Sequence, residues 1–192
     1  MSNQYELPIT GGETTGFERV RVDVAHTSFF EGREFRTFKE LNVASGSVYV
    51  IKAVVPVNTN LLQLELSLDS GFARIGTYVG GVEGGTFSES LPVIPTNNMT
   101  PGVNRRRTIV NGVYVNQNIL TAGGTHTGGT EIDVIRTRVA SGATSRSSSV
   151  EGIAGERGIA PSTFYFRIST VSGTDPITGV LRARWEERPD SF

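Results

Sequence analysis

Apolar and polar residues trade places every second position along most of this chain, which is the period of a β-strand with one wet face. Phe17, Val20, Val22 and Val24 mix with Arg19, Arg21 and Asp23, and Phe35 and Phe38 follow within the run Arg33 to Leu41. Val48 to Val55 is almost entirely β-branched or aromatic and stops at Pro56, which cannot donate to a ladder, so it predicts a strand. Leu62, Leu64, Leu66 and Leu68 alternate with Gln63, Glu65 and Ser67; leucine favours helix, but a spacing of two predicts a strand. Asp69-Ser70-Gly71 predicts a turn, and Phe72 to Val79 a strand closed by Gly80-Gly81.

The second half is less regular. Thr86 to Ile94 predicts a weaker strand broken by Pro92 and Pro95, Thr96 to Gly102 a loop, and Thr108 to Val115 a strand. Residues 122–129 carry glycine pairs on either side of Thr125-His126-Thr127 and predict a loop. In Glu131 to Val139, Ile132, Val134 and Thr137 are set against polar neighbours, with Ile135 on the other face. Residues 140–162, rich in Ser and Gly, predict a long exposed loop. Thr163 to Val171 and Gly179 to Glu187 predict a terminal strand pair, with Trp185 on the core face beside Leu181 and Ala183. No segment has helical periodicity. The expectation is an all-β chain: an antiparallel, jelly-roll-like β-sandwich of nine or ten strands over 17–192, preceded by an extended polar arm over 1–16.

Composition narrows the function classes. Glycine supplies 23 of 192 residues, hydrophobic residues 37% and charged residues 19%, which suits β structure with many turns better than a helical bundle. The net charge is −1, so there is no basic field to hold nucleic acid. All cations but Lys39 and Lys52 are arginine, the side chain suited to interfacial carboxylates. Without cysteine there is no disulfide framework, thiolate zinc site or thiol nucleophile. The first residues lack the charged and apolar stretches of a signal peptide, and no apolar run is long enough to span a membrane as a helix, so synthesis in a cytoplasm is expected.

The chemistry-bearing residues point away from catalysis. His26 and His126 stand alone, without metal-binding spacing, and no nucleophile elbow is present. The glycine loop around His126 has no following lysine and no helix, so it is not a phosphate loop. Glu186 and Glu187 are adjacent in a strand and point to opposite faces, which rules them out as an acid–base pair. No catalytic residue, metal or cofactor is assigned. Phe29-Phe30-Glu31-Gly32-Arg33-Glu34-Phe35-Arg36 interleaves aromatics with both charges, a mixture common at protein interfaces. Arg105-Arg106-Arg107 is a compact cluster able to meet carboxylates. The candidate partner-contact residues are therefore Tyr5 in the arm, Phe29, Phe30, Arg33, Phe35, Arg36, Arg105, Arg106 and Arg107.

The run Phe30-Glu31-Gly32-Arg33-Glu34-Phe35-Arg36-Thr37-Phe38 resembles a stretch of small virion structural proteins of tailed bacteriophages. So do Gly123 to Glu131, Ala154-Gly155-Glu156-Arg157-Gly158 and Trp185-Glu186-Glu187-Arg188-Pro189. The resemblance implies a head decoration (cement) protein on the capsid exterior. It implies a β-rich homotrimer at three-fold points of the shell, with the major capsid protein as partner. The alternative is a tail or head-fibre part that binds a receptor or glycan, which needs an exposed aromatic platform.

Overall fold

The computed structural model describes residues 32–96, 109–110, 113–114, 116–139, 148–151, 157–171 and 175–188, and every element among them is a β-strand. In chain order the strands are β1 (Glu34–Val43), β2 (Val48–Val55), β3 (Thr59–Ser70), β4 (Phe72–Val79), β5 (Val82–Gly84), β6 (Glu89–Ser90), β7 (Ile94–Pro95) and β8 (Ile109–Val110). They continue with β9 (Val113–Tyr114), β10 (Ile119–Ala122), β11 (Thr125–Thr127), β12 (Thr130–Arg138), β13 (Ser148–Glu151), β14 (Arg157–Ile159), β15 (Ser162–Thr170) and β16 (Ile177–Glu187). The strand predicted over Phe17 to Val24 and the arm over 1–16 lie outside the described residues.

Two six-stranded antiparallel sheets make the body. Sheet A runs β13–β3–β16–β1–β7, with β14 also on β3; sheet B runs β12–β4–β15–β2–β10–β6. Two ribbons, β5 with β11 and β8 with β9, complete the described strands. The alternation read from the sequence builds the core. On β3, Leu64, Leu66 and Leu68 are buried while Gln63, Glu65 and Ser67 are only partly covered. They meet Leu41, Val43, Ile177 and Leu181 of sheet A and Ile51, Ala73, Ile75, Ile135 and Ile168 of sheet B in one apolar cluster. Phe35 and Trp185 face each other across β1 and β16, ring centroids 6.2 Å apart, as a second cluster. The result is a β-sandwich-like, all-β body, as expected.

Glycine is required by the backbone at Gly71 and Gly179 among other positions. Gly71 turns β3 into β4 at φ +85°, and an added Cβ would lie 2.7 Å from the Pro176 carbonyl oxygen. At Gly179, beside a register shift in the β3–β16 ladder, a Cβ would sit 2.2 Å from the Ser67 carbonyl oxygen.

Three local expectations change. The Thr86 to Ile94 strand divides: only Glu89–Ser90 and Ile94–Pro95 pair, with Pro92 between them. Thr125–Thr127, read as loop, is a strand on β5, and His126 within it is buried. The stretch read as a 140–162 loop contains β13 and β14, whose backbones pair with β3. On β12 a register shift between Glu131 and Asp133 leaves both Glu131 and Val134 on the outer face, and beyond it the strand alternates regularly. Ile132 and Val134 are 45% and 46% exposed, whereas Ile135 and Thr137 are buried.

Glu187 locks the end of β16. It is 0% exposed, and its carboxylate accepts the Asn118 backbone N–H at 3.0 Å, the Gln117 N–H at 2.9 Å and the Trp185 indole N–H at 3.3 Å. Burying a carboxylate is costly unless donors replace its water, and here backbone donors do so.

Candidate docking face

The outer face of sheet A is built by the even-numbered positions of β1. Glu34, Arg36, Phe38, Glu40 and Asn42 alternate with Phe35, Thr37, Leu41 and Val43, which are buried against sheet B. The antiparallel register sets Arg36 opposite Arg184, Phe38 opposite Arg182 and Glu40 opposite Val180. One strand further, Arg184 opposes Gln63 and Arg182 opposes Glu65. Glu34, Arg36, Phe38 and Glu40 of β1, Arg182 and Arg184 of β16, Gln63 of β3 and Ile94 of β7 line an open groove of about 770 Å³.

Most charges in the groove are tied to the face itself. Arg184 Nε lies 3.2 Å from the buried Glu34 carboxylate, and Arg182 lies 3.4 Å from Glu65. Glu65 also accepts the Ser67 hydroxyl at 2.9 Å and the Gln63 amide at 3.3 Å. Below the groove Arg188 binds Glu186 through two bonds of 2.9 and 3.0 Å. Arg36 and Glu40 have no ion-pair partner among the described residues, and Phe38 beside them is 44% exposed. An exposed ring flanked by a guanidinium that no described carboxylate neutralises, and by arginines held in place, has the composition of an interface centre, where aromatic and arginine side chains dominate binding energy.

The residues singled out from the sequence divide sharply. Arg36 is in the groove. Arg33 donates to the Glu187 carbonyl at 2.9 Å, its side chain largely covered beside Glu186, and so fastens β1 to the end of β16. Phe35 is 2% exposed and packs in the core rather than at the surface. Tyr5, Phe29, Phe30, Arg105, Arg106 and Arg107 lie outside the described residues. Phe38, Arg182 and Arg184 were not singled out. A signal for Phe38 existed: Phe35 and Phe38 are an odd number of positions apart, so one strand cannot bury both.

The outer face of sheet B carries a second polar cluster, capped by the β5–β11 ribbon. The His126 ring lies flat on Tyr165, centroids 3.8 Å apart. Its Nε2 is 2.7 Å from the Gly80 carbonyl and donates to it, so Nδ1 is the acceptor for the Arg167 guanidinium at 2.8–3.0 Å. Arg167 also stands over the Tyr78 ring at 4.0 Å and donates to the Gly128 carbonyl. The Tyr165 hydroxyl donates to Glu83, which pairs with Lys52 at 2.7 Å. Burial first, and the Glu83 bond second, push the Tyr165 phenol up to about 12. The Lys52 and then the Tyr165 hydrogen bonds hold Glu83 below the usual carboxylate range. These rings cover one another: Tyr165 is stacked by His126 and Tyr78 is capped by Arg167. The cluster therefore fastens the ribbon to sheet B.

Among the described residues no group of three His, Cys, Asp or Glu side chains is placed to hold a metal ion. No known family and no curated protein matches the chain. Two solved virus structures share faint similarity. One is of T=1 particles derived from infectious bursal virus, at 12% identity over 98% of this chain and 46% of that one, TM-score 0.12. The other is of infectious bursal disease virus, Gx strain, at 9% identity over 97% of this chain and 46% of that one, with the same TM-score. This chain thus spans under half the length of either, and similarity at that level carries no argument.

Proposed function

We propose that the chain is a bacteriophage head decoration protein. It binds the outer surface of the assembled head as an oligomer and bridges neighbouring major capsid subunits. The observation that carries this reading is the outer face of sheet A, where exposed Phe38 lies between Arg36 and Arg182 in an open groove. The sequence resemblance to phage virion proteins also supports it, because the run Phe30 to Phe38 includes the first half of β1, with Arg36 and Phe38 of this face.

The finer fold reading, a jelly roll, belongs to the same proposal. Numbered along the chain, β1, β2, β3, β4, β12, β13, β15 and β16 are strands one to eight. Sheet A then reads six-three-eight-one and sheet B five-four-seven-two. That is the order produced when two Greek keys wrap into paired four-stranded sheets, an arrangement used by viral capsid domains. The link from this order to a virion is an analogy of fold; the docking face is the argument from a site.

Bridging stabilises a shell by mass action, because a ligand of the assembled lattice alone lowers the free energy of that state. An oligomer engaging several subunits gains avidity that one weak groove lacks. The test is co-sedimentation of the full chain with heads of the encoding phage stripped of it. The chain is expected to bind and to raise the temperature at which heads rupture. Phe38→Ala and Arg36→Ala are expected to weaken binding by about thirtyfold each, the effect of losing an interface hot spot, without lowering the melting temperature of the free protein. Failure of the unaltered chain to bind heads, or full binding by both variants, overturns the reading.

A further inference from the structure

The β5–β11 ribbon continues the β4–β12 ladder, folded over the outer face of sheet B. Val79 opposes Thr130 at the end of that ladder, and Val82 opposes Thr127 at the start of the ribbon. Between them stand Gly80-Gly81 on one strand and Gly128-Gly129 on the other, all four at positive φ from 65° to 94°. Glycine adopts this region at no steric cost, so the fold-over is a double glycine hinge. Each ribbon strand has three residues, and a two-stranded hairpin is marginal by itself in water. The ribbon therefore depends on what holds it to the sheet.

His126 is the centre of that hold, and its bonds commit the ring to the neutral form. The buried imidazole lies flat on Tyr165. Its Nε2 donates to the Gly80 carbonyl and its Nδ1 accepts from the Arg167 guanidinium, so both nitrogens are used. The Gly81 backbone crowds the ring: a Cβ there would lie 2.5 Å from Nε2, which leaves little room to turn. The titratable and charged groups facing the ring are Tyr165 and Arg167 from β15, Tyr78 from β4 and Glu83 from β5, with Lys52 of β2 behind Glu83. Arg74 and Glu131 pair with each other beyond Tyr78. Glu83 stands opposite His126 in the ribbon, but its carboxylate is already engaged by Lys52 and the Tyr165 hydroxyl.

We propose that His126 is a proton-operated latch, and that a proton taken up at Nδ1 swings the ribbon off sheet B about the glycine hinge. That proton turns the acceptor of the Arg167 bonds into a donor. An imidazolium then faces a guanidinium in a covered site, with the bonds between them lost. Turning the ring in place is blocked at Gly81, whereas lifting the ribbon puts the new charge in water. Arg167 keeps its seat over the Tyr78 ring, and the Tyr165 ring is uncovered. The latch is independent of what docks on sheet A.

The test is amide hydrogen exchange of the full chain at about pH 8 and about pH 5.5, on either side of the ordinary histidine value of about 6.5, with rates corrected for the intrinsic effect of pH. Both conditions lie above the range in which Glu83 takes up its proton. In the open ribbon the histidine is in water, so one pH unit below its ordinary value multiplies the open population by up to about tenfold. Protection of Val82–Gly84 and Thr125–Thr127 is expected to fall by about that factor. Leu66, Ile75 and Ile168 in the two sheets should change by less than about twofold, and Trp185 emission should stay constant. His126→Gln takes up no proton and should give equal ribbon protection at both pH values. The parent protein supplies a second readout that needs no variant: nitrogen NMR of the imidazole should show the Nε2–H tautomer at the higher pH and a doubly protonated ring where protection has fallen. Ribbon protection that ignores pH, the same fall in His126→Gln, a fall shared by the core strands, or a ring still neutral in the opened ribbon overturns the latch.

Discussion

Replacing Glu187 tests whether a buried carboxylate fixes the end of β16. Its oxygens are shared by two backbone N–H groups and the Trp185 indole, all within 3.3 Å. Asn118 is itself buried, so water cannot enter freely to replace the lost acceptor. Glu187→Ala orphans these donors and leaves a void. An unsatisfied buried donor costs about 1–3 kcal/mol, and because neighbouring losses overlap we expect about 3–5 kcal/mol in all. Glu187→Gln keeps the shape and one acceptor but turns an NH2 group toward a donor, for about 2 kcal/mol. Trp185 is the only tryptophan and touches this carboxylate, so urea unfolding followed by its fluorescence reads the site directly. The expected pattern is a lower midpoint, Ala below Gln below parent, with an unchanged denaturant slope. A Gln variant as stable as the parent would refute the reasoning, since shape alone would then be holding the turn.

Gly179→Ala forces a methyl onto the Ser67 carbonyl oxygen and should cost about 3 kcal/mol by the same unfolding assay. Leu66→Ala opens a void at a position with no solvent exposure and should cost about 2–5 kcal/mol, again as a lowered midpoint. The β5–β11 ribbon should loosen in acid. Glu83 is held below the usual carboxylate range, so its contribution is complete above the unfolded value and fades as pH falls through the lowered folded one. Amide exchange in β11 should rise over that window, and Glu83→Gln should abolish the dependence. In alkali the Tyr165 phenol contributes fully below its ordinary value of 10.0, and the contribution is lost as pH rises toward about 12. Tyr165→Phe should remove that loss from a pH titration of stability.

The sequence was most legible where one local signal decided an outcome. β2 and β4 run from Val48 to Val55 and from Phe72 to Val79 as expected, because β-branched runs end at Pro56 and at Gly80-Gly81. The leucines of β3 bury themselves at every second position for the same reason. Where pairing is settled by distant partners, local pattern failed. β14 is three residues lying against the start of β3, and nothing within Arg157–Ile159 announces that partner. His126 sits between glycine pairs that read as loop, yet β5 gives it a ladder and Tyr165 gives it a stacking surface. On β12 plain alternation sets Ile132 and Val134 opposite in face to the buried Ile135 and Thr137, so Thr137 parts from the two apolar residues it was grouped with; the irregular pairing before Asp133 turns Glu131 outward as well, which alternation counting cannot foresee. In the candidate site, Arg36 was found through its mixed neighbourhood. Phe38 and the β16 arginines were missed because they become one face only when β1 and β16 pair.

The central claim is that this chain is part of a virion shell. Its most direct test is the copy number of the protein in purified particles of the encoding phage, by quantitative mass spectrometry against the major capsid protein. A decoration protein predicts a fixed ratio to the capsid subunit, spread over the whole shell. Absence from the particle, or the few copies of a tail part, would contradict it.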